Sequence, residues 1–170
     1  MRPRVVRVRT TGLALTIALL ATATGCGGGD DGPSKKDYYA SLNSFCSDVA
    51  TAAARVSADT AAVERDTKAA RSARLALITA SLKRFADGTE TALDTLAKAG
   101  APEEFAAYQK GTATGFRRFV KTLRDTAAES EKDPAVLMKL QARLNAVRLP
   151  DPPRDVSANA RACAEFSPAG

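Results

Sequence analysis

The sequence contains no histidine and no tryptophan, and aromatic residues make up only 5% of its 170 positions. Without His, the chain lacks the commonest general base, the commonest metal ligand and the usual haem ligand. It also contains no P-loop and no Gly-x-Ser-x-Gly motif. We therefore expect no catalytic residue, no metal and no cofactor. A sugar hydrolase remains an alternative, because two carboxylates that are distant in sequence can converge in the fold.

Alanine is abundant where aromatic residues are scarce, and it makes up about a fifth of the chain. Ala has the highest intrinsic helix propensity of all residues and adds little volume to a core. The length is that of one ordinary domain. Together these features predict an all-α domain with a lightly built core, and they disfavour a β-sandwich.

The N-terminal segment has the pattern of an export signal. Residues 1–9 contain four Arg and no acid, and residues 11–24 contain no charge at all. This uncharged run is too short and too rich in Thr and Ala for a permanent transmembrane helix. Residues 1–25 are therefore predicted to be a signal peptide, whose removal lowers the formal net charge from +6 to +2. The net positive charge of the full sequence is therefore no evidence for a nucleic-acid partner.

The signal ends in Ala23-Thr24-Gly25-Cys26, which resembles a bacterial lipobox with Ala23 where Leu is commonest. In a lipobox the Cys receives diacylglycerol on its sulfur and becomes the mature N-terminus. We therefore expect Cys26 to be lipidated and to hold the protein at the extracytoplasmic face of the cell membrane. Residues 27–36 would form a Gly-rich tether that reaches roughly 17 Å as a flexible coil. The alternative is an ordinary signal peptide followed by an unmodified Cys.

Residues 37–170 are predicted to form the helical domain, because apolar residues recur there with the period of a helix. The first stripe is Tyr38, Leu42, Phe45, Val49, Ala52 and Val56. The second is Leu75, Ile78, Leu82, Phe85, Thr89, Leu93 and Leu96. The third is Phe105, Tyr108, Thr112, Phe116, Phe119 and Leu123, and the fourth is Leu137, Leu140, Leu144 and Val147. Residues 57–70 fit either a solvated helix or a loop.

Helix boundaries are marked by Gly, Pro and Asp. Gly100 followed by Pro102 predicts that the second helix ends near Ala99. Asp133 followed by Pro134 is typical of a helix start and opens the fourth helix. Four helices with short connections predict a four-helix up-down bundle.

The C-terminal part is predicted to return to the bundle. Residues 149–153 are rich in Pro and should be extended. A short last helix over residues 156–166 would follow, with Asp155 as its cap.

Two Cys remain after Cys26, and an even pair in an exported chain predicts a disulfide between Cys46 and Cys163. The bridge would stabilise the fold by closing a long loop. A redox-active pair is the alternative, but it would prefer a Cys-x-x-Cys motif, which is absent.

These elements together resemble the small Ala- and Arg-rich lipoproteins of high-GC Gram-positive, that is actinobacterial, genomes. The most distinctive element is Tyr39-x-x-Leu42-Asn43-x-x-Cys46. The others are the lipobox, the tether, the Pro-initiated helix with Pro102 and Tyr108, and the final Cys163. The resemblance implies a helical bundle on the outer leaflet of the cytoplasmic membrane, and it implies no particular ligand.

Basic residues form a stripe on the third helix, opposite its apolar stripe. They are Lys110, Arg117, Lys121 and Arg124, which fall within an arc of about 60° at 100° per residue. The stripe would contact anionic lipid headgroups or an anionic envelope polymer. It would otherwise be an ordinary solvated face.

Three classes of function follow. The first is a membrane-anchored, non-enzymatic interaction or structural module of the cell envelope, whose partner would be an envelope protein or an anionic polymer. The second is a carrier of a small apolar or lipid ligand in the bundle core, and the third is an enzyme. A core cavity of about 300 Å³ or more would favour the carrier.

Overall fold

The computed structural model describes residues 32–66 and 68–166. The predicted signal peptide, Cys26 and most of the predicted tether lie outside this range. Within it, all regular secondary structure is helical, which confirms the all-α prediction. None of the helices in these ranges combines the length and apolar character that crossing a bilayer requires.

Three long helices build most of the fold: α1 (Lys35–Arg65), α2 (Arg71–Ala99) and α3 (Glu103–Ser130). Consecutive helices pack against each other and run in opposite directions. Asp59 near the end of α1 bonds to Ser81 near the start of α2. Similarly, Gln109 near the start of α3 donates to the carbonyl of Leu96 near the end of α2.

The ends of these helices follow local rules. The Ser34 hydroxyl accepts a hydrogen bond from the Asp37 amide and caps α1. Of residues 57–70, for which the sequence leaves helix and loop open, residues 57–65 continue α1, Asp66 is its C-cap, and residues 68–70 belong to the connection to α2. Gly100 follows Ala99 with a φ of 73°, a conformation that favours glycine, and this confirms the predicted end of α2.

The predicted fourth helix is replaced by two short pieces, a 3₁₀ helix (Pro134–Lys139) and α4 (Leu140–Asn145). Asp133 caps the first piece through its side chain, as expected. The four-helix up-down arrangement, however, is not confirmed. Six residues of each type cover about 20 Å, roughly half the length of α3. The spacing between Pro134 and Pro150 leaves room for at most about 24 Å of α-helix, so this segment does not match the three long helices as a fourth member of a bundle.

The predicted last helix is also divided. The structure has α5 (Arg154–Asn159) and a second 3₁₀ helix (Arg161–Phe166) instead of one helix over 156–166. Asp155 is not the cap, because the extended Pro153 takes that position and Asp155 lies in the first turn. The break falls at Ala160, whose φ of −100° and ψ of 66° are not helical.

Two clusters of buried side chains form the core, and partly buried Phe85 packs against both. The first joins α1, α2, α3 and α5, and it contains the ring pair Phe45 and Phe116 at 4.8 Å between centroids. The second joins α2 and α3 through Leu82, Ala86, Val120, Leu123 and Ala127. The predicted apolar stripes supply most of the first cluster, but only Leu82 and Leu123 among the buried residues of the second.

Asp59 links α1 to α2 and should make stability depend on pH. The Ser81 hydroxyl (2.6 Å) and the Arg84 guanidinium (2.7 Å) both donate to Asp59 Oδ2. These two bonds lower the pKa of Asp59, with the Ser81 bond as the larger cause. Because the folded-state pKa lies below the unfolded one, the stabilisation is complete above the unfolded value near 4 and is lost as pH falls through the lowered value.

We expect Asp59→Asn to flatten the dependence of stability on pH on the acid side, as measured by denaturant unfolding between pH 2 and pH 6. Asp48→Asn is the matched control on the same helix. Asp48 is exposed and bonds to no side chain in the described part of the chain. An equal flattening in both variants would contradict the role given to Asp59.

Candidate functional site

The C-terminal segment 148–163, here called the strap, is tied to α1 by a disulfide. Cys46 and Cys163 are bonded, with their Cα atoms 5.1 Å apart. This separation is typical of protein disulfides. The predicted pairing is therefore confirmed.

Asn43 fixes the strap one turn before Cys46 on α1. Its Nδ2 donates to the carbonyl of Asn159 at 3.0 Å, and its Oδ1 accepts from the amide of Ala162 at 3.0 Å. The side-chain amide thus satisfies backbone groups on both sides of Ala160, where α5 ends. This contact explains the helix break, and it gives Asn43 a structural role that the sequence pattern alone did not indicate.

Replacing Asn43 by Ala should lower the free energy of unfolding by about 1 kcal/mol, because both backbone groups lose their partner. Chemical denaturation would measure the change. Asn145→Ala on α4 is the control, since Asn145 is exposed and, among the described residues, its side chain bonds only to Gln141. It should shift stability by less than about 0.5 kcal/mol. Equal effects of the two substitutions would contradict the structural role assigned to the Asn43 side chain.

The strap is part of the core and not an appendage. Val156 and Ala160 are both fully buried in the first core cluster. Their side chains meet those of α1 and α3 from the open side of the three-helix arrangement. Displacing the strap would therefore expose the first cluster to water.

Two glycines on α3 let the strap approach closely. A Cβ at Gly115 would lie 2.5 Å from Leu149 Cδ2 and 3.0 Å from the carbonyl oxygen of Arg148. A Cβ at Gly111 would lie 3.3 Å from Pro150 Cγ. The motifs and apolar stripes of the sequence did not single out either glycine. The available signal was the presence of two Gly four positions apart inside a predicted helix. A Gly in a helix interior destabilises it by roughly 1 kcal/mol relative to Ala, so a Gly at such a position indicates a close packing contact.

A small apolar cavity lies between α1, α3 and the strap. Its volume is about 80 Å³, and its walls include Phe45, Tyr108, Thr112 and Val156. Burial raises the pKa of the Tyr108 hydroxyl, which favours its neutral form. Pockets that hold drug-sized ligands usually begin at about 300 Å³. The cavity is well below the size at which the carrier hypothesis would be favoured.

The structure places all four residues of the predicted basic stripe in exposed positions. Two of them are engaged by carboxylates. Lys121 contacts Asp125 at 2.6 Å, and Arg124 contacts Asp87 and Glu90 on α2 at 2.6 Å each. Lys110 and Arg117 form no ion pair with any residue in the described part of the chain.

Lys110 instead shares a groove with two cations that the stripe did not include. Lys110, Arg118 and Arg148 line an open groove of about 540 Å³ between α3 and the strap, and its lining contains no acid. The helical period predicts that Arg118 lies about 80° from Lys110 around the axis of α3. Arg148 comes from another element, so no periodicity could have placed it here.

The far end of the α1–α2 hairpin exposes apolar side chains. Met138 is 87% exposed and Leu77 is 53% exposed. An open, mostly apolar cleft of about 500 Å³ lies nearby. We call this surface the apolar tip. It comprises the apolar residues that line the cleft (Leu75, Ile78, Pro134 and the buried Val63), Leu77 on the adjoining surface, and Met138, which follows Pro134 in the same 3₁₀ helix.

No group of three or more acidic or Cys side chains in the described ranges is arranged to hold a metal ion. Comparison with protein-family models, with curated proteins and with solved structures found no match for this chain.

Proposed function

We propose that the protein is a lipoprotein anchored through Cys26 to the extracytoplasmic face of the cell membrane, where it acts as a non-enzymatic interaction module of the envelope. The anchor would comprise the acyl chains on Cys26. The tether would be shorter than the predicted 27–36 and would end before Ser34, because Ser34 caps α1 and Lys35 and Lys36 belong to that helix. The apolar tip would bind a protein partner away from the membrane surface.

The observation that carries this proposal is the position of the apolar tip relative to the start of the domain. Pro33 packs 3.7 Å from where a Gly100 Cβ would lie, and Lys35 contacts Glu104 at 2.9 Å. The chain therefore enters the domain where α2 ends and α3 begins. The apolar tip lies at the opposite end of α1, whose 31 residues span about 45 Å.

Exposed apolar side chains at one end of a helical domain are typical of protein contact surfaces. The small cavity under the strap supports an interaction module over a carrier, because it would not enclose a lipid chain. A tether at one end and a contact surface at the other would let the domain reach a partner beyond the headgroups.

The anchor is tested by intact-mass analysis of protein extracted from membranes. We expect a chain of residues 26–170 with acyl groups, and we expect Cys26→Ser to release the domain or to stall its processing. An unacylated wild-type chain in the medium that begins at another residue would refute the anchor.

The apolar tip is tested by co-purification from detergent-solubilised membranes. We expect one protein to co-purify in a fixed ratio and to be lost when Leu77→Lys and Met138→Lys are combined. The control variant carries Ala106→Lys, an exposed position near the opposite end of the domain. Retention of the same partner by the tip variant would show that the tip is not the contact surface.

A further inference from the structure

The groove between α3 and the strap brings three cations together without a counter-charge. Lys110 and Arg118 project from α3, and Arg148 projects from the strap. All three are exposed, and none lies within 4.0 Å of a carboxylate among the described residues. Thr114, Gly111, Gly115, Ala107, Leu149 and Pro150 complete the lining.

Other cations such as Arg55 and Lys98 also form no ion pair among the described residues, so what sets the groove apart is that three such cations line one surface without an acid. Several cations elsewhere in the domain do have a carboxylate partner. Lys83, Arg84, Lys121, Arg124 and Arg143 each contact a carboxylate at 2.6–2.7 Å. Three unpaired positive charges around one concave surface repel each other and raise the local positive potential. An anion in the groove would relieve that repulsion.

The groove is held in shape by features described above. The glycine contacts place the Arg148 backbone directly on α3, with its carbonyl oxygen 3.0 Å from where a Gly115 Cβ would lie. The disulfide and the Asn43 bonds fix the other end of the strap. The backbone of Arg148 is therefore held at a fixed distance from α3, the helix that carries Lys110 and Arg118. A site built from supported elements loses less entropy when a ligand binds.

We propose that this groove binds a phosphate group. A guanidinium offers paired N–H donors that match phosphate oxygens, and an ammonium adds a compact charge. A tetrahedral phosphate presents at least three acceptor oxygens in different directions, which donors from two elements can share. A carboxylate presents only two oxygens in one plane, so it offers fewer acceptors to donors that come from two elements.

The phosphate group would come from one of two sources, a soluble phosphate compound or the headgroup of an anionic phospholipid. The inference depends neither on lipidation of Cys26 nor on the apolar tip. Its failure and the failure of the proposed function can therefore be distinguished.

The test uses the full chain carrying Cys26→Ser, so that no acyl chain contributes to binding. Inorganic phosphate is titrated at constant ionic strength while the amide resonances of Gly111 and Gly115 are followed by NMR. Flotation with phosphatidylcholine vesicles, with and without phosphatidylglycerol, tests the headgroup source. Sodium acetate replaces phosphate in a parallel titration.

Two double variants with the same loss of charge are compared. Arg118→Gln with Arg148→Gln removes two cations of the groove, and Lys121→Gln with Arg124→Gln removes two cations that carboxylates already engage. We expect the first to weaken phosphate or vesicle binding at least tenfold and the second to change it less than twofold. Arg118→Gln alone tests the groove if the Arg148 substitution loosens the strap.

Saturable phosphate binding that only the groove variants lose would support the soluble source. Binding only to phosphatidylglycerol vesicles, with the same pattern of loss, would support the headgroup source. Equal losses in both double variants would mean that overall charge is responsible, and this would overturn the proposal. Equal binding of acetate, or no binding of either probe, would overturn it as well.

Discussion

Removing the Cys46–Cys163 disulfide should lower the free energy of unfolding by about 4 kcal/mol and the melting temperature by something on the order of 15 °C. The bridge spans 117 residues of sequence, so its loss frees most of the domain in the unfolded state. It also releases the strap, whose Val156 and Ala160 are fully buried. The double variant Cys46→Ala with Cys163→Ala, followed by thermal unfolding, measures the effect.

Reduction of the wild-type protein provides the matched comparison. A reductant should lower the melting temperature of the wild type towards that of the double variant, and it should leave the double variant unchanged. Neither Cys should react with a thiol reagent in the native, oxidised protein. Ready labelling of both thiols with no loss of stability on reduction would contradict a structural bridge and would reopen the redox alternative.

Gly115→Ala should destabilise the fold by about 2 kcal/mol, although Ala is the better helix former. The added methyl group would lie 2.5 Å from Leu149 Cδ2 and 3.0 Å from the Arg148 carbonyl oxygen. Rotation of Leu149 would relieve the first contact. The second involves backbone, so the strap itself has to move away from α3.

Gly88→Ala is the control within a helix of similar length. A Cβ at Gly88 would meet only the Cβ of Ala52, at an ordinary contact distance of 3.7 Å. We therefore expect Gly88→Ala to stabilise the protein by up to about 1 kcal/mol. Urea unfolding of both variants gives the two changes with opposite signs. Stabilisation by both substitutions would show that the strap does not rest on Gly115.

The long helices could be predicted from the sequence because their signals are local. Apolar spacing of three and four residues placed the faces of α1, α2 and α3. Gly100 and Asp133 marked boundaries through backbone conformation and side-chain capping, and both act where predicted. These features depend on neighbours a few residues apart, which a single sequence displays directly.

The C-terminal part could not be predicted in the same detail, because distant contacts decide it. The helix break at Ala160 depends on Asn43, which is more than a hundred residues away in sequence. The shortened fourth helix was accessible in principle, since the distance between Pro134 and Pro150 limits its length. Periodicity of Leu137, Leu140 and Leu144 is equally compatible with a regular helix and with the mixed segment observed.

The candidate site likewise combines features that local sequence patterns predict with features that only distant contacts determine. The helical period correctly predicts that the four cations of the stripe are exposed on α3, but it carries no information about the neighbouring helices. Arg124 is engaged by Asp87 and Glu90 on the neighbouring helix. Arg148 joins Lys110 only because the strap crosses the glycines of α3. Pairing and convergence between elements are properties of the tertiary structure and leave no periodic signal in the sequence.

The bond between Cys46 and Cys163 also determines how the domain would respond to mechanical load. A pull applied between the two ends of the polypeptide is transmitted through α1 as far as Cys46 and then crosses the covalent bridge to Cys163. The residues between them, which include α2, α3 and the groove, lie outside that path. Such a pull could unravel the start of α1 while α2, α3 and the groove carry none of the tension, so the domain would stretch only at its two ends.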